Sequence, residues 1–133
     1  MAFYRTREGT ITAGDSFTAL GSIYGQSTTA AIQVPAGASQ IVGVIASIAQ
    51  DGSTSGVASF ACQLSGDGLS NGQETICIGS ATNDGTVASN AVTNLPMVLD
   101  VAIPCVGSNQ VSVAVAMDTD LGNAQASVTL VFA

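Results

Sequence analysis

In two stretches near the end of the chain, apolar residues occupy every second position and most residues between them are Ser, Thr or Ala. Val111 to Met117 is the first and Ala126 to Phe132 is the second. Successive side chains of a β-strand point to opposite faces, so this period of two predicts two strands that each bury one face. The residues between them, Asp118 to Asn123, are rich in Asp, Gly and Asn, which favour turns. The pattern therefore predicts a C-terminal β-hairpin.

The same alternation recurs along most of the chain. Turn-forming residues interrupt it, as at Pro35–Gly37, and no stretch combines a helical apolar period with helix caps. Segment 40–49 is apolar on both faces, which favours a strand covered on both sides, and Pro104 indicates an edge strand or a bend. Strands are expected over 9–13, 17–24, 28–34, 40–49, 56–64, 74–78, 86–92, 97–105, 111–117 and 126–132.

Strands this short, separated by frequent turn signals, predict an all-β sandwich or barrel. The single jelly roll, a double sheet of about eight strands, fits the pattern. An immunoglobulin-like sandwich is the alternative, although the chain lacks the Trp usual in its core. We expect an N-terminal arm over residues 1–8, which carries Arg5 and Arg7, and one β-barrel domain over residues 9–133.

The chain carries few charges. Asp, Glu, Lys and Arg make up 8% of its 133 residues, apolar residues make up 47%, and the formal net charge is −7. A typical soluble domain is about 25% charged. The polar strand positions hold mainly Ser, Thr, Asn and Gln, which cost less to desolvate than charged groups. This composition predicts repeated contacts between subunits.

The residue inventory disfavours an enzyme. The absence of His and Lys removes the commonest general base and Schiff-base chemistry, whereas a pair of carboxylates, as in glycosidases, stays open. Asp118 to Asn123 has part of a calcium-loop spacing, but Thr129 stands where that loop needs Glu, so we interpret it as a turn. Asp51, Asp67 and Asp84 precede glycines and are also interpreted as turn residues. We assign no catalytic, cofactor-binding or metal-binding residue.

The three cysteines, Cys62, Cys77 and Cys105, form no C-x-x-C pair. Cys62 shares a strand face with Phe60, and Cys105 follows an apolar strand. Both are predicted to be small buried apolar residues, and a disulfide of unassigned pairing is the alternative.

The N-terminus shows no secretory signal and the chain has no apolar run of about 18 residues, so we expect synthesis in the cytoplasm and no membrane span. The negative charge disfavours nucleic-acid binding by the domain. Arg5 and Arg7 are the candidates for contact with an anionic partner, such as a genome or lipid headgroups.

The strand pattern from about Gly9 to Phe132, with Val-Pro-Ala-Gly at Val34–Gly37 closing an early strand, resembles the small single jelly-roll capsid proteins of icosahedral viruses. It is most similar to those of membrane-containing archaeal viruses of hot acidic springs, the Sulfolobus polyhedral virus group. The resemblance implies a coat subunit in the virion that contacts copies of itself and other coat proteins. It also implies that the N-terminal arm faces the genome or an inner membrane.

Other functions are consistent with the same pattern. A virion decoration or fibre subunit and a cell-surface filament subunit are alternatives, and the filament subunit should carry an export signal. A carbohydrate-binding module is a further one, with Tyr4 and Tyr24 as its candidate aromatic residues. Near pH 3 most carboxylates would be protonated, so we expect acid to favour assembly.

Overall fold

The computed structural model describes residues 2–11, 16–23, 26–27, 31–50, 56–83, 97–118 and 123–133. Seven long strands and four two-residue strands form in these ranges. They are β1 (Phe3–Ile11), β2 (Thr18–Ala19), β3 (Ser22–Ile23), β4 (Gln26–Ser27), β5 (Ile32–Gln33), β6 (Gln40–Gln50), β7 (Gly56–Ser65), β8 (Gln73–Asn83), β9 (Met97–Pro104), β10 (Gln110–Met117) and β11 (Ala124–Phe132).

The strands form two antiparallel sheets. The first sheet has the order β4-β3-β1-β11-β6-β9, and the second has the order β2-β10-β7-β8, with β5 also paired to β10. The pairs are nested: β1 pairs with β11, β2 and β5 with β10, β6 with β9, and β7 with β8. This nested order of strand pairs is the one formed when a long β-hairpin folds over into two sheets. The chain is therefore an all-β jelly roll, which confirms the predicted fold class.

The predicted C-terminal hairpin is wrong. β10 lies in the second sheet and β11 in the first, so the turn between them crosses from one sheet to the other. Each strand buries one face in the same core, Val113 from one side and Val128 from the other. The alternation of apolar residues shows only that one face of a strand is buried. It cannot distinguish two strands that are neighbours in one sheet from two strands that face each other across the core.

The predicted N-terminal arm is also wrong, because Phe3 to Glu8 belong to β1. All nine residues of β1 pair with β11, from Phe3 opposite Phe132 to Ile11 opposite Ala124. Arg5 and Arg7 occupy inward-facing positions of this strand, so the sequence of β1 does not show the alternation of apolar and polar residues.

The core fills the space between the sheets. Fully buried side chains come from both sheets, and the largest are Phe60, Phe132, Ile11, Ile32, Ile41, Ile48, Leu64, Ile78, Met117 and Leu130. The predicted strand over 40–49 is confirmed as β6, but its pairing register shifts at Val42. Because a register shift exchanges the two faces of a strand, Ile41 is fully buried on the same side as Val44, Ala46 and Ile48, and strict alternation would have placed Val42 there.

The remaining sequence predictions for described residues are mostly confirmed. β9 is an edge strand, as Pro104 indicated. Cys62 and Cys105 are buried and all three cysteines are free thiols. The expected strands over 17–24 and 28–34 are reduced to two-residue segments where they are described. The expected strand 86–92 lies outside the described residues. In the described ranges there is no helix long and apolar enough to cross a bilayer.

Candidate interaction surfaces

The outer face of the first sheet is almost uncharged. The strand register places Thr6, Thr129, Ile45 and Val98 in one row across four strands. Val98 is 67% exposed, and the hydroxyls of Thr6 and Thr129 are hydrogen bonded at 2.8 Å. The neighbouring rows contribute Tyr4, Val131, Gly43 and Asp100, then Glu8, Ser127 and Ser47, then Thr10, Gln125 and Ala49. Glu8 and Asp100 are the only charged side chains among these outward positions.

The outer face of the second sheet carries no charged side chain at its described outward strand positions. Across β10, β7 and β8 the register aligns Ser112 with Ser65 and Gln73 at one end, and Ala116 with Ala61 and Cys77 nearer the other. The remaining outward positions hold Ala19, Val57, Ser59, Gln63, Thr75, Ser80, Gln110 and Ala114. Both sheets therefore present neutral faces of mainly small side chains.

A shallow apolar depression of about 260 Å³ lies on this second face. Its floor includes Ala61 and Ala116, Phe17 lies at one side and the exposed Cys77 at the other. At its rim the carboxylate of Asp118 accepts a hydrogen bond from the backbone N–H of Ser59 at 2.8 Å. The small alanine side chains leave the space that larger residues would fill.

Two of the five described carboxylates, those of Asp67 and Glu74, lie away from the outer sheet faces. Asp67 is in the loop before β8, where its carboxylate accepts a hydrogen bond from the N–H of Gln110 at 3.1 Å. Glu74 lies on the inward side of β8, opposite Leu64, and accepts a hydrogen bond from Asn71 at 3.0 Å. The first outer face thus carries the carboxylates of Glu8 and Asp100, and the second has only that of Asp118, at the rim of the depression, among the described residues.

The two arginines do not form the expected solvent-facing pair. Arg7 is only 8% exposed and donates hydrogen bonds to the carbonyls of Thr6 at 2.9 Å and Ala31 at 3.2 Å. Burial, and then the nearby Arg5, lower the pKa of Arg7. Arg5 is exposed, donates to the Tyr4 carbonyl at 2.9 Å, and lies 6.0 Å from the centre of the Phe3 ring.

The other residues singled out in the sequence do not converge. Asp67 is in a turn, as predicted, whereas Asp51, Asp84, Tyr24 and most of the 118–123 segment lie outside the described residues. In the part of the chain that the structure describes, no three Cys, Asp or Glu side chains are close enough together to hold a metal ion. Tyr4 is 60% exposed on the first sheet.

Sequence reasoning missed the exposed apolar residues and the depression. Val57 and Val98 stand in alternating runs, but only the sheet register shows that they face outward. The depression depends on four strand segments coming together, so only the parity of Phe17, Ala61, Cys77 and Ala116 within their strands could have indicated it.

No protein-family model matches the chain, and no curated protein matches it. Among solved structures, it is similar to the acidic stable capsid of Helicobacter pylori bacteriophage KHP30, with 10% identity, a TM-score of 0.43 and coverage of 100% of this chain and 94% of that chain. It is also similar to the capsid of cyanophage Pam1, with 11% identity, a TM-score of 0.41 and coverage of 98% and 84%.

A family 22 carbohydrate binding module of Clostridium thermocellum Xyn10B is similar too. It has 18% identity and a TM-score of 0.37, and the match covers 97% of this chain and 85% of that chain. Because all three TM-scores are below 0.5, none of these similarities supports a function for this chain.

Proposed function

We propose that this protein is a structural coat subunit that assembles with copies of itself into a viral shell. The observation that carries the proposal is the low charge of both outer sheet faces, whose described strand positions together contain two charged side chains, Glu8 and Asp100. A coat subunit must bury much of its surface against neighbours, and burying faces with few charges costs little desolvation free energy.

The energetics favour contact through these faces. Removing an unpaired charge from water costs several kcal/mol, whereas Ser and Thr cost far less and Ala and Val contribute favourably. Val57 and Val98 are 60% and 67% exposed in the single chain, and covering each contributes roughly 1 kcal/mol. A face built in this way binds another protein surface without needing paired charges.

The proposal extends to the setting of the protein. It is non-enzymatic, lies in the virion, and contacts other coat proteins as well as its own copies. An acidic environment, as in the archaeal viruses that the sequence resembles, suits a net charge of −7, because acid reduces the mutual repulsion of identical subunits.

Negative-stain electron microscopy of the purified protein, over a range of concentrations and pH values, tests this function. Closed shells or regular capsomers would support it. Open fibres would instead indicate a filament subunit, and a monomer that binds glycans at every concentration would indicate a carbohydrate-binding module. Either of these results would overturn the coat assignment.

A further inference from the structure

Five described strands lie at sheet edges, β4 and β9 in the first sheet and β2, β5 and β8 in the second, and these edges differ sharply. β2, β4 and β5 are only two residues long, which leaves little backbone for another strand to pair with. β9 contains Pro104, which has no backbone N–H, and Asp100 on its outer face. The end of β9 is also covered, since the N–H of Ser70 donates to the Pro104 carbonyl at 3.1 Å and Leu69 bridges Cys105.

β8 has none of these protections. It spans eleven residues, Gln73–Asn83, contains no proline, and carries a single charge at Glu74. Its inner edge pairs with β7, and no described strand pairs with its other edge. A long edge with one charge and no partner among the described strands is a template for a further β-strand, because its backbone N–H and C=O groups on that side need partners.

We infer that β8 pairs antiparallel with β8 of a second copy about a two-fold axis, which joins the second sheets of the two copies into one continuous sheet. This inference rests on the proposed self-assembly and names one of its contacts. A two-fold contact uses the same surface on both partners. β8 suits it better than β1, whose second edge pairs with β3 only at Glu8 among the described residues, because β1 also carries the charges of Arg5 and Arg7.

The charges of β8 permit this pairing. Glu74 is half-buried, points inward and is hydrogen bonded to Asn71, so its charge is already compensated in part. The register of β8 with β7 shifts at Ile78, which adds one residue to β8. In a pairing centred on Cys77 that keeps this register, Glu74 lies opposite the partner's Ala81, because each position is three ladder steps from the centre. The two carboxylates therefore do not oppose each other, despite the negative charge of each copy.

The outward side chains of β8 provide a direct readout. Thr75, Cys77 and Ser80 are exposed on the outer face. Residues directly opposite in antiparallel strands have Cβ atoms about 4.5–5.5 Å apart, which is within reach of a disulfide or a short cross-linker. Cys62 is fully buried and Cys105 is 7% exposed, so Cys77 is the exposed thiol of the native protein.

The test is a cysteine scan of the full chain under mild oxidation. The wild type carries the reporter at Cys77, and two variants in the Cys77→Ser background move it to Thr75→Cys or Ser80→Cys. Ser112→Cys in the same background is the matched control, since Ser112 is on the same face but two strands from the edge. Sedimentation of each sample before oxidation gives its oligomeric state.

We expect one β8 position to form covalent dimers about 100-fold faster than Ser112→Cys at about 10 µM protein, because paired thiols have a millimolar effective concentration. The position that reacts fastest marks the two-fold axis. If the protein assembles but all β8 positions react as slowly as the control, the edge pairing is wrong and the coat function stands. If β8 cross-links in a simple dimer that never assembles further, the pairing stands and the coat function fails. A monomer at all concentrations overturns both.

Discussion

Replacing Gly68 with alanine should destabilise the fold far more than the same change at Gly72, although both glycines lie in the loop between β7 and β8. An added Cβ at Gly68 would lie 2.7 Å from the backbone carbonyl oxygen of Gln110 and 2.7 Å from a methyl group of Val111. These distances are too short for any carbon contact, so the loop must move away from the start of β10.

That movement would also break the hydrogen bonds that hold the loop to β10 and to the segment after β9. The N–H of Gly68 donates to the Gln110 carbonyl at 2.8 Å, and the Gly68 carbonyl accepts from the N–H of Val106 at 2.8 Å. Overpacking costs about 1–3 kcal/mol and each lost hydrogen bond about 1 kcal/mol. We therefore expect Gly68→Ala to lower the free energy of unfolding by about 3–5 kcal/mol.

Gly72→Ala is the matched control, because Gly72 has a positive φ of 79° and no atom within 4 Å of an added Cβ. It tests backbone strain without a clash, and we expect a loss of about 1 kcal/mol. Gly66→Ala combines both effects, with φ of 123° and a Cβ 2.6 Å from the Gln110 carbonyl oxygen, and should cost at least as much as Gly68→Ala.

Urea unfolding followed by far-UV circular dichroism, at a concentration where the protein is monomeric, measures these differences. If the free energies of unfolding of Gly68→Ala and Gly72→Ala agree within about 1 kcal/mol, the close approach of this loop to β10 is not as the structure shows.

Three further predictions concern single residues and pH. Burial raises the pKa of the Cys62 thiol from 9.0 to about 12, so the unfolded chain ionises first. The free energy of unfolding should then fall by up to about 1.4 kcal/mol per pH unit above pH 9. Urea titrations at several pH values should show this fall in the wild type and in Cys77→Ser, and Cys62→Ala should lack it. Ser108 has a positive φ of 72°. Ser108→Gly should therefore raise the free energy of unfolding by roughly 0.5–1 kcal/mol and raise the thermal unfolding midpoint. An unchanged or lower midpoint would count against backbone strain at Ser108. Light scattering should show stronger assembly as the pH falls towards 3, whereas equal or stronger assembly at pH 8 and low salt would exclude acid-promoted assembly.

The local pattern predicted most long strands because burial of one face imposes alternation directly. β7, with Ala58, Phe60, Cys62 and Leu64 buried on one side, is the clearest case. β1 escaped prediction because Arg5 and Arg7 stand at its inward positions, where the pattern expects apolar residues. Arg7 is accommodated there by hydrogen bonds to backbone carbonyls, including that of Ala31. No local pattern in the sequence predicts this contact.

Strand partners and surface features could not be predicted in the same way. β10 and β11 are neighbours in sequence but lie in opposite sheets, because pairing depends on the nested arrangement of the whole chain. The depression at Phe17 and Cys77 depends on register, including the irregularity between Phe60 and Ala61 that aligns Ala61 with Cys77. The neutrality of the faces was predicted as a composition, and the structure adds where the neutral residues lie.

Sedimentation of variants with one lysine on a sheet face tests the central claim most directly. Val98→Lys alters the first sheet and Ser112→Lys the second, and Ser70→Lys in the exposed loop before β8 is the control, with folding of each checked by circular dichroism. An unpaired charge in a contact costs at least about 2 kcal/mol, so a face variant should need at least about 30-fold more protein to assemble, while the control assembles like wild type. If both face variants assemble at the wild-type concentration, the neutral faces are not the contact surfaces.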